Sequence, residues 1–156
     1  MRIACGFDHA GVSLREVVLE AVRAAGHEPL DLGTDDDVTP DDYPDRALAV
    51  ARAMRAGKAE RGILCCGSGA GVAVAACKVD GIRCAMAHDT YTARQCVEHD
   101  DVNVLALGAR VIGPETAIEL VGAFCAAEFS GEERHVRRLA KIDAIERDGL
   151  DAQLPS

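Results

Sequence analysis

Short apolar runs alternate with helical patterns along almost the whole of this chain, and that alternation limits its fold more than any other feature. Runs suited to buried strands occupy residues 2–7, 28–32, 61–66, 82–87 and 102–107, each shorter than a typical helix. Between them, apolar residues recur at helical spacing. The pattern over 12–25 stops before Gly26, and that over 44–56 stops before Gly57; glycine is well suited to end a helix. Residues 70–78, 90–99 and 114–129 supply three further helices, with Pro114 in a first turn where its missing N–H costs nothing. This β-α-β-α order predicts an α/β chain, a three-layer Rossmann-like sandwich with a five-stranded parallel sheet, right-handed crossovers and ligands bound beyond the carboxyl ends of the strands.

A charged helix over 132–148 follows, with Val136, Leu139, Ile142 and Ile145 three apart. So narrow a stripe fits either its own domain or a C-terminal helix reaching the partner subunit. Residues 1–148 read as one domain and 149–156 as a flexible tail.

Composition then removes several function classes. A chain of 156 residues that is 49% hydrophobic can bury one stable core. Only 3% of residues are aromatic and none is tryptophan, so the core is built from small aliphatic side chains, as in a helix-covered sheet. A formal charge of −9 argues against nucleic acid as a partner. No apolar segment is long enough to span a bilayer, so no membrane is expected. The seven cysteines form no CxxC pair and no apolar leader precedes the first strand, which predicts reduced thiols and a cytoplasmic location. Asp35, Asp36, Asp37, Asp41, Asp42 and Asp45 read as a solvated loop and helix start, since the closing glutamate of a calcium loop is missing. No His-x-His or His-Glu-x-x-His spacing occurs, so no metal is expected.

Four polar clusters carry possible chemistry. Asp8-His9-Ala10-Gly11 follows the first strand and reads equally as a capped turn. Cys66-Gly67-Ser68-Gly69-Ala70-Gly71 hands a strand to a helix, and its glycines let backbone N–H groups approach an anion closely. Three familiar phosphate loops fit it poorly. The dinucleotide fingerprint would need glycine at Val72, the nucleotide-cradling loop would need Gly-Lys-Ser/Thr, and a cysteine phosphatase would need a closing arginine where Val72 and Ala73 stand. What remains is a thiol beside a helix N-terminus, where thiolate is favoured, so Cys66 is either a base or a buried structural cysteine. Cys65 points to the opposite strand face and reads as core. Glu98-His99-Asp100-Asp101-Val102-Asn103 ends a helix, where His99 also fits a surface histidine. In Arg134-His135-Val136-Arg137-Arg138, Arg134 and Arg138 share a helical face and could grip one phosphate, or could simply be solvated.

Taken in order, Asp8-His9-Ala10-Gly11, Asp31-x-Gly33-Thr34, Tyr43-Pro44, Cys66-Gly67-Ser68-Gly69-x-Gly71, Gly81-Ile82-Arg83, His99-Asp100-x-x-Asn103-Val104-Leu105, Gly108-x-Arg110 and Arg134-His135-x-x-Arg138 resemble the ribose-5-phosphate isomerase B family, which includes isomerases of other phosphosugars. The resemblance implies a homodimer with shared active sites, or a tetramer of such dimers, that interconverts an aldose and a ketose phosphate without metal or organic cofactor. It implies Cys66 as catalytic base through a cis-enediolate, Ser68 beside it, His99 for opening the furanose ring and Asp8 on the sugar side. Gly67, Gly69, Ala70 and Gly71 would stabilise the enediolate. His9, Arg134 and Arg138 would hold phosphate, and Arg110, Asp100 and Asn103 would complete substrate binding. The family commonly has asparagine where this chain has Asp100, which bears on hydroxyl recognition. Ribose 5-phosphate is the expected substrate, with allose 6-phosphate, galactose 6-phosphate and erythrulose 4-phosphate as alternatives. A non-catalytic sugar-phosphate or nucleotide-binding module is the alternative outside enzymes.

Overall fold

The computed structural model describes residues 1–155, and its core is a parallel sheet of five strands in the order β2-β1-β3-β5-β4. The strands are β1 (Arg2–Phe7), β2 (Glu28–Asp31), β3 (Arg61–Cys66), β4 (Cys84–Met86) and β5 (Val104–Gly108). The helices are α1 (Arg15–Ala24), α2 (Tyr43–Arg55), α3 (Ala70–Ala76), α4 (Thr90–Asp100), α5 (Pro114–Ala126) and α6 (Glu133–Asp148).

Right-handed crossovers decide which helix covers which face. Moving one way across the sheet, from β2 to β3 and from β3 to β4, puts α2 and α3 together on one side. Moving the other way, from β1 to β2 and from β4 back to β5, puts α1 and α4 on the other, joined there by α5. The two-residue period of the strands matches this division. Ile3, Cys5, Phe7, Ile63, Cys65, Leu105 and Leu107 pack against Val18, Leu120 and Phe124, whereas Ala4, Leu64, Cys66, Val104 and Ala106 pack against Val50 and Val72. Cys65 and Cys66 therefore face opposite layers. Burial pushes the Cys65 thiol well above its ordinary value, with Cys5, Cys66 and Asp8 nearby adding to the shift.

Element ends differ from the sequence expectation where side chains capture the backbone. The run 82–87 yields only Cys84–Met86, because the Ile82 N–H bonds back to Val79 and the Arg83 guanidinium is drawn to Asp101. The helix expected to reach 129 stops at Ala126: Ala127 is extended, and Arg61 donates to the carbonyls of Phe124 and Ala127 at 2.6 and 2.7 Å. The first helix begins as a 3-10 turn at Val12–Leu14.

The narrow stripe on α6 is only partly covered by this domain: Leu139 is half-buried, and Ile142 and Ile145 border a cavity with Ile82 and Val102. Val136, Ile142 and Ile145 are 49%, 43% and 52% exposed, and the buried residues of α6 are His135 and Ala144. Of the expected tail, Gly149–Asp151 forms a 3-10 turn, and Ser156 lies outside the described residues. Among the described residues, no helix is long and apolar enough to cross a membrane. All seven cysteines are free thiols. The aspartate-rich loop is consumed locally: Asp36 accepts the N–H groups of Val38 and Thr39 at 2.8 and 3.0 Å, and Asp41 pairs with Arg46.

Candidate active site

The strand order reverses between β1 and β3, so the loops leaving these two strands diverge and leave a crevice. Asp8 and His9 enter it from β1, Cys66 to Ser68 from β3, and Arg110 from the turn after β5. With Ala10, Tyr43, Gly71 and Val111 they line a cavity of about 400 Å³.

Each of these side chains is fixed by backbone. Asp8 is buried, and its Oδ1 accepts the Gly11 N–H at 2.8 Å, so the capped-turn reading and the cavity placement both hold. Gly11 must be glycine for this loop to seat, since a Cβ there would stand 2.2 Å from the Cys65 carbonyl oxygen. The Asp41 N–H donates to His9 Nδ1 at 3.1 Å, which leaves Nε2 free. Cys66 is only 4% exposed, and its Sγ accepts the Gly69 N–H at 3.1 Å. Gly69 can make that bond because its φ is +83°, a conformation that side chains other than glycine adopt at a cost. A hydrogen bond of this kind strengthens as sulfur gains negative charge. Ser68 Oγ accepts the Ala70 N–H at 3.3 Å. The Arg110 N–H donates to the Gly67 carbonyl at 2.9 Å, and the Arg110 side chain lies across Gly67. Among the described residues, Arg110 has no carboxylate partner.

The other expected residues gather elsewhere. α4 starts at the carboxyl end of β4 and runs back to the amino end of β5, so His99 and Asp100 lie at the opposite edge of the sheet from Cys66. There the Ser130 N–H donates to the Glu98 carbonyl at 2.9 Å, and α6 begins. The rings of His99 and His135 stack with centroids 4.1 Å apart. Arg134 and Arg138 are exposed beside them, Arg134 paired with Glu132. Asp100 borders a separate cavity of about 590 Å³ with Arg83, Ile142 and Ile145. Asn103 is spent on the backbone, accepting the Arg83 N–H at 2.9 Å and donating to the Gly81 carbonyl at 2.8 Å. The expected site residues therefore fall into two groups at opposite ends of the sheet.

Sequence reasoning did not single out Tyr43 or Val111 as cavity walls, or His135 as a buried residue. Tyr43 opens α2, and its ring would stand 3.0 Å from a Cβ on Gly71. In the sequence it stands only as part of the Tyr43-Pro44 motif, with no role attached to it.

The family model described as Ribose/Galactose Isomerase matches residues 3–142, from β1 into α6. The chain belongs to that family. Ribose-5-phosphate isomerase B of Escherichia coli is 40% identical to it, over 94% of this chain and 97% of its own length. D-erythrulose-4-phosphate isomerase of Pectobacterium atrosepticum is 43% identical, over 84% of this chain and 86% of its own length. A solved ribose-5-phosphate isomerase B from Mycoplasma genitalium with bound ribulose-5-phosphate superposes with a TM-score of 0.86 at 36% identity, covering 94% of this chain and 97% of that one. As a member of the family, the chain is an aldose-ketose isomerase of phosphosugars.

Proposed function

We propose that this protein interconverts ribose 5-phosphate and ribulose 5-phosphate, with Cys66 as the base and each active site completed by a second subunit. The observation that carries the reading is the buried Cys66 sulfur, held by the Gly69 N–H at the mouth of a cavity that also holds Asp8, His9 and Arg110. In the open-chain aldose, the Cys66 thiolate takes the proton from C2, and the electron pair moves through C1 to the carbonyl oxygen O1. The resulting cis-enediolate is stabilised by N–H groups of the 67–71 loop; loss of one such donor typically costs about 3–4 kcal/mol of barrier. The thiol then returns its proton to C1, while the O2 hydroxyl proton passes to O1, with Ser68 placed to relay it. Nothing is oxidised outside the sugar. Proton transfer by a placed group adds roughly 10²- to 10⁴-fold.

The separation of the two groups supports a homodimer in which one protomer's Cys66 cavity receives its partner's His99, Arg134 and Arg138. His99 would open the furanose ring, and the arginines, with His9 and Arg110, would hold the phosphate. The exposed stripe of α6 supplies apolar surface for that contact. Seven free thiols fit a cytoplasmic setting. A second substrate, erythrulose 4-phosphate, is favoured by the 43% identity to the Pectobacterium isomerase. Either sugar uses the same base and loop.

The test is a coupled isomerase assay on both sugars with Cys66→Ala, with Arg134→Ala/Arg138→Ala, and with the two variants mixed and allowed to exchange subunits. Each alone should be inactive at low substrate. The mixture should regain about a quarter of wild-type activity, because half the dimers are mixed and each has one intact site of two. Retained turnover in Cys66→Ala sinks the assigned base. A mixture that stays inactive despite demonstrated subunit exchange sinks the shared site.

A further inference from the structure

We infer that His135 is a positioning residue for His99: a buried neutral imidazole that fixes the plane of the His99 ring and leaves His99 as the proton-exchanging member of the pair. The inference rests on the reading of His99 as the ring-opening group.

His135 is 1% exposed, although it lies on a helix whose neighbouring positions Arg134 and Val136 face solvent. Its ring stacks on His99 with centroids 4.1 Å apart and planes at 28°. Nδ1 of His135 is 2.7 Å from Ser130 Oγ, and Ser130 is itself tied to α4 by its N–H on the Glu98 carbonyl. Ser130 Oγ also accepts the Glu132 N–H, and the same hydroxyl meets His135 Nδ1 as either donor or acceptor. In either tautomer, Nε2 of His135 is buried with no partner among the described residues. A nitrogen so placed is a poor site for charge, because protonation would bury an unpaired cation.

His99 differs in both respects. It is only half-buried, and its Nδ1 is 3.0 Å from the amide nitrogen of Gln95, one turn earlier on α4. That contact occupies Nδ1 and leaves Nε2 as the nitrogen that can exchange a proton with a sugar. Two stacked imidazoles this close cannot both be cations cheaply. The groups facing His135 are His99, Arg134 and Arg138, which disfavour its cation, and Glu132, which favours it. Burial is the larger influence, and the net effect sets the His135 pKa below the ordinary histidine value. His135 is therefore the member of the pair held neutral, and its ring keeps the His99 ring in one plane.

The test crosses His135→Ala and His135→Phe with His99→Asn. Turnover and KM on ribose 5-phosphate are measured between pH 5 and 9, with denaturation curves to confirm folding. His135→Ala should lower kcat about ten- to a hundred-fold with KM nearly unchanged and should move the acidic limb of the kcat profile. His135→Phe, which keeps a flat ring for stacking, should recover much of kcat. In the His99→Asn background, His135→Ala should have no further effect on kcat. An equal loss in both backgrounds, or no loss in the wild-type background, overturns the inference while leaving the ring-opening role intact. Full activity in His99→Asn overturns the ring-opening role itself and this inference with it. Should the His135 variants fail to fold, nitrogen-15 histidine spectra of the unaltered enzyme decide the matter. The His135 ring should hold its neutral form to lower pH than an ordinary histidine, and a His135 ring that titrates at the ordinary histidine value refutes the assignment.

Discussion

Replacing Gly69 with alanine separates what this glycine does for stability from what it does for the reaction. Its φ of +83° puts a side chain in the left-handed region, which costs an L-residue about 1–2 kcal/mol. The new Cβ would also lie 3.1 Å from the Leu107 carbonyl carbon and 3.2 Å from the Gly108 nitrogen, both backbone atoms of β5 that cannot rotate away. Such overpacking adds typically 1–3 kcal/mol, so the total is roughly 2–5 kcal/mol, within the ~5–15 kcal/mol margin of an ordinary domain. The same displacement moves the Gly69 N–H from Cys66 Sγ, now 3.1 Å away. If that donor serves the thiolate and the enediolate, turnover should fall a further 10²- to 10³-fold in protein that is still folded. Gly26→Ala is the matched control: its φ is +81°, no atom lies within 4 Å of the added Cβ, and it sits far from the cavity. It should lose about 1–2 kcal/mol and no activity. Urea denaturation gives both stabilities, and the coupled assay, run on protein shown to be folded, gives both rates. If Gly69→Ala folds and turns over like Gly26→Ala, the link between the loop's conformation and the reaction is wrong.

Further outcomes follow from burial and from capping. Burial raises the Cys5 thiol from 9.0 to about 12, with Asp31 and Cys125 adding to the shift. Its folded value exceeds its unfolded one, so its contribution is fully present below pH 9 and is lost as pH rises toward 12, at up to about 1.4 kcal/mol per pH unit. Cys96 and Cys125, each raised to about 11 by burial, act in the same direction. Denaturation midpoints at pH 8, 9 and 10 should fall progressively, and Cys5→Ala should flatten the slope; parallel slopes would remove Cys5 from the account. Arg61→Met deletes two charged hydrogen bonds to the end of α5 and a guanidinium 5.2 Å from the Phe124 ring centroid. A loss of about 2–4 kcal/mol is expected, read as a lower urea midpoint with KM unchanged; an unchanged midpoint would show that the carbonyls are satisfied by water.

Much of the candidate site could be read in the sequence because its polar loops stand where strands end. A run such as Arg61–Cys66 is apolar because both of its faces are covered, and the polar Gly67-Ser68-Gly69 that follows can only be the exit from the sheet. Asp8 and His9 were legible for the same reason. His99 was legible as a residue type but not as a location, since a helix end and a strand start look alike at either edge of a sheet. Tyr43 and His135 carried little signal, because their exposure depends on what packs against α2 and α6.

The sequence by itself determined the alternation of strands and helices, the parallel sense of the sheet, the loops that bear Asp8, Cys66 and Arg110, and membership of a sugar isomerase family. These depend on periodicity and on residue types at fixed spacing, which are local properties. The tertiary structure alone decided that β5 inserts between β3 and β4. Handedness fixes the face a crossover takes but not how many places it skips. It also decided that Cys66 and His99 lie at opposite ends of the sheet, and that His135 turns inward to stack on His99. Those outcomes depend on contacts between segments far apart in the chain, whose energies no single segment contains.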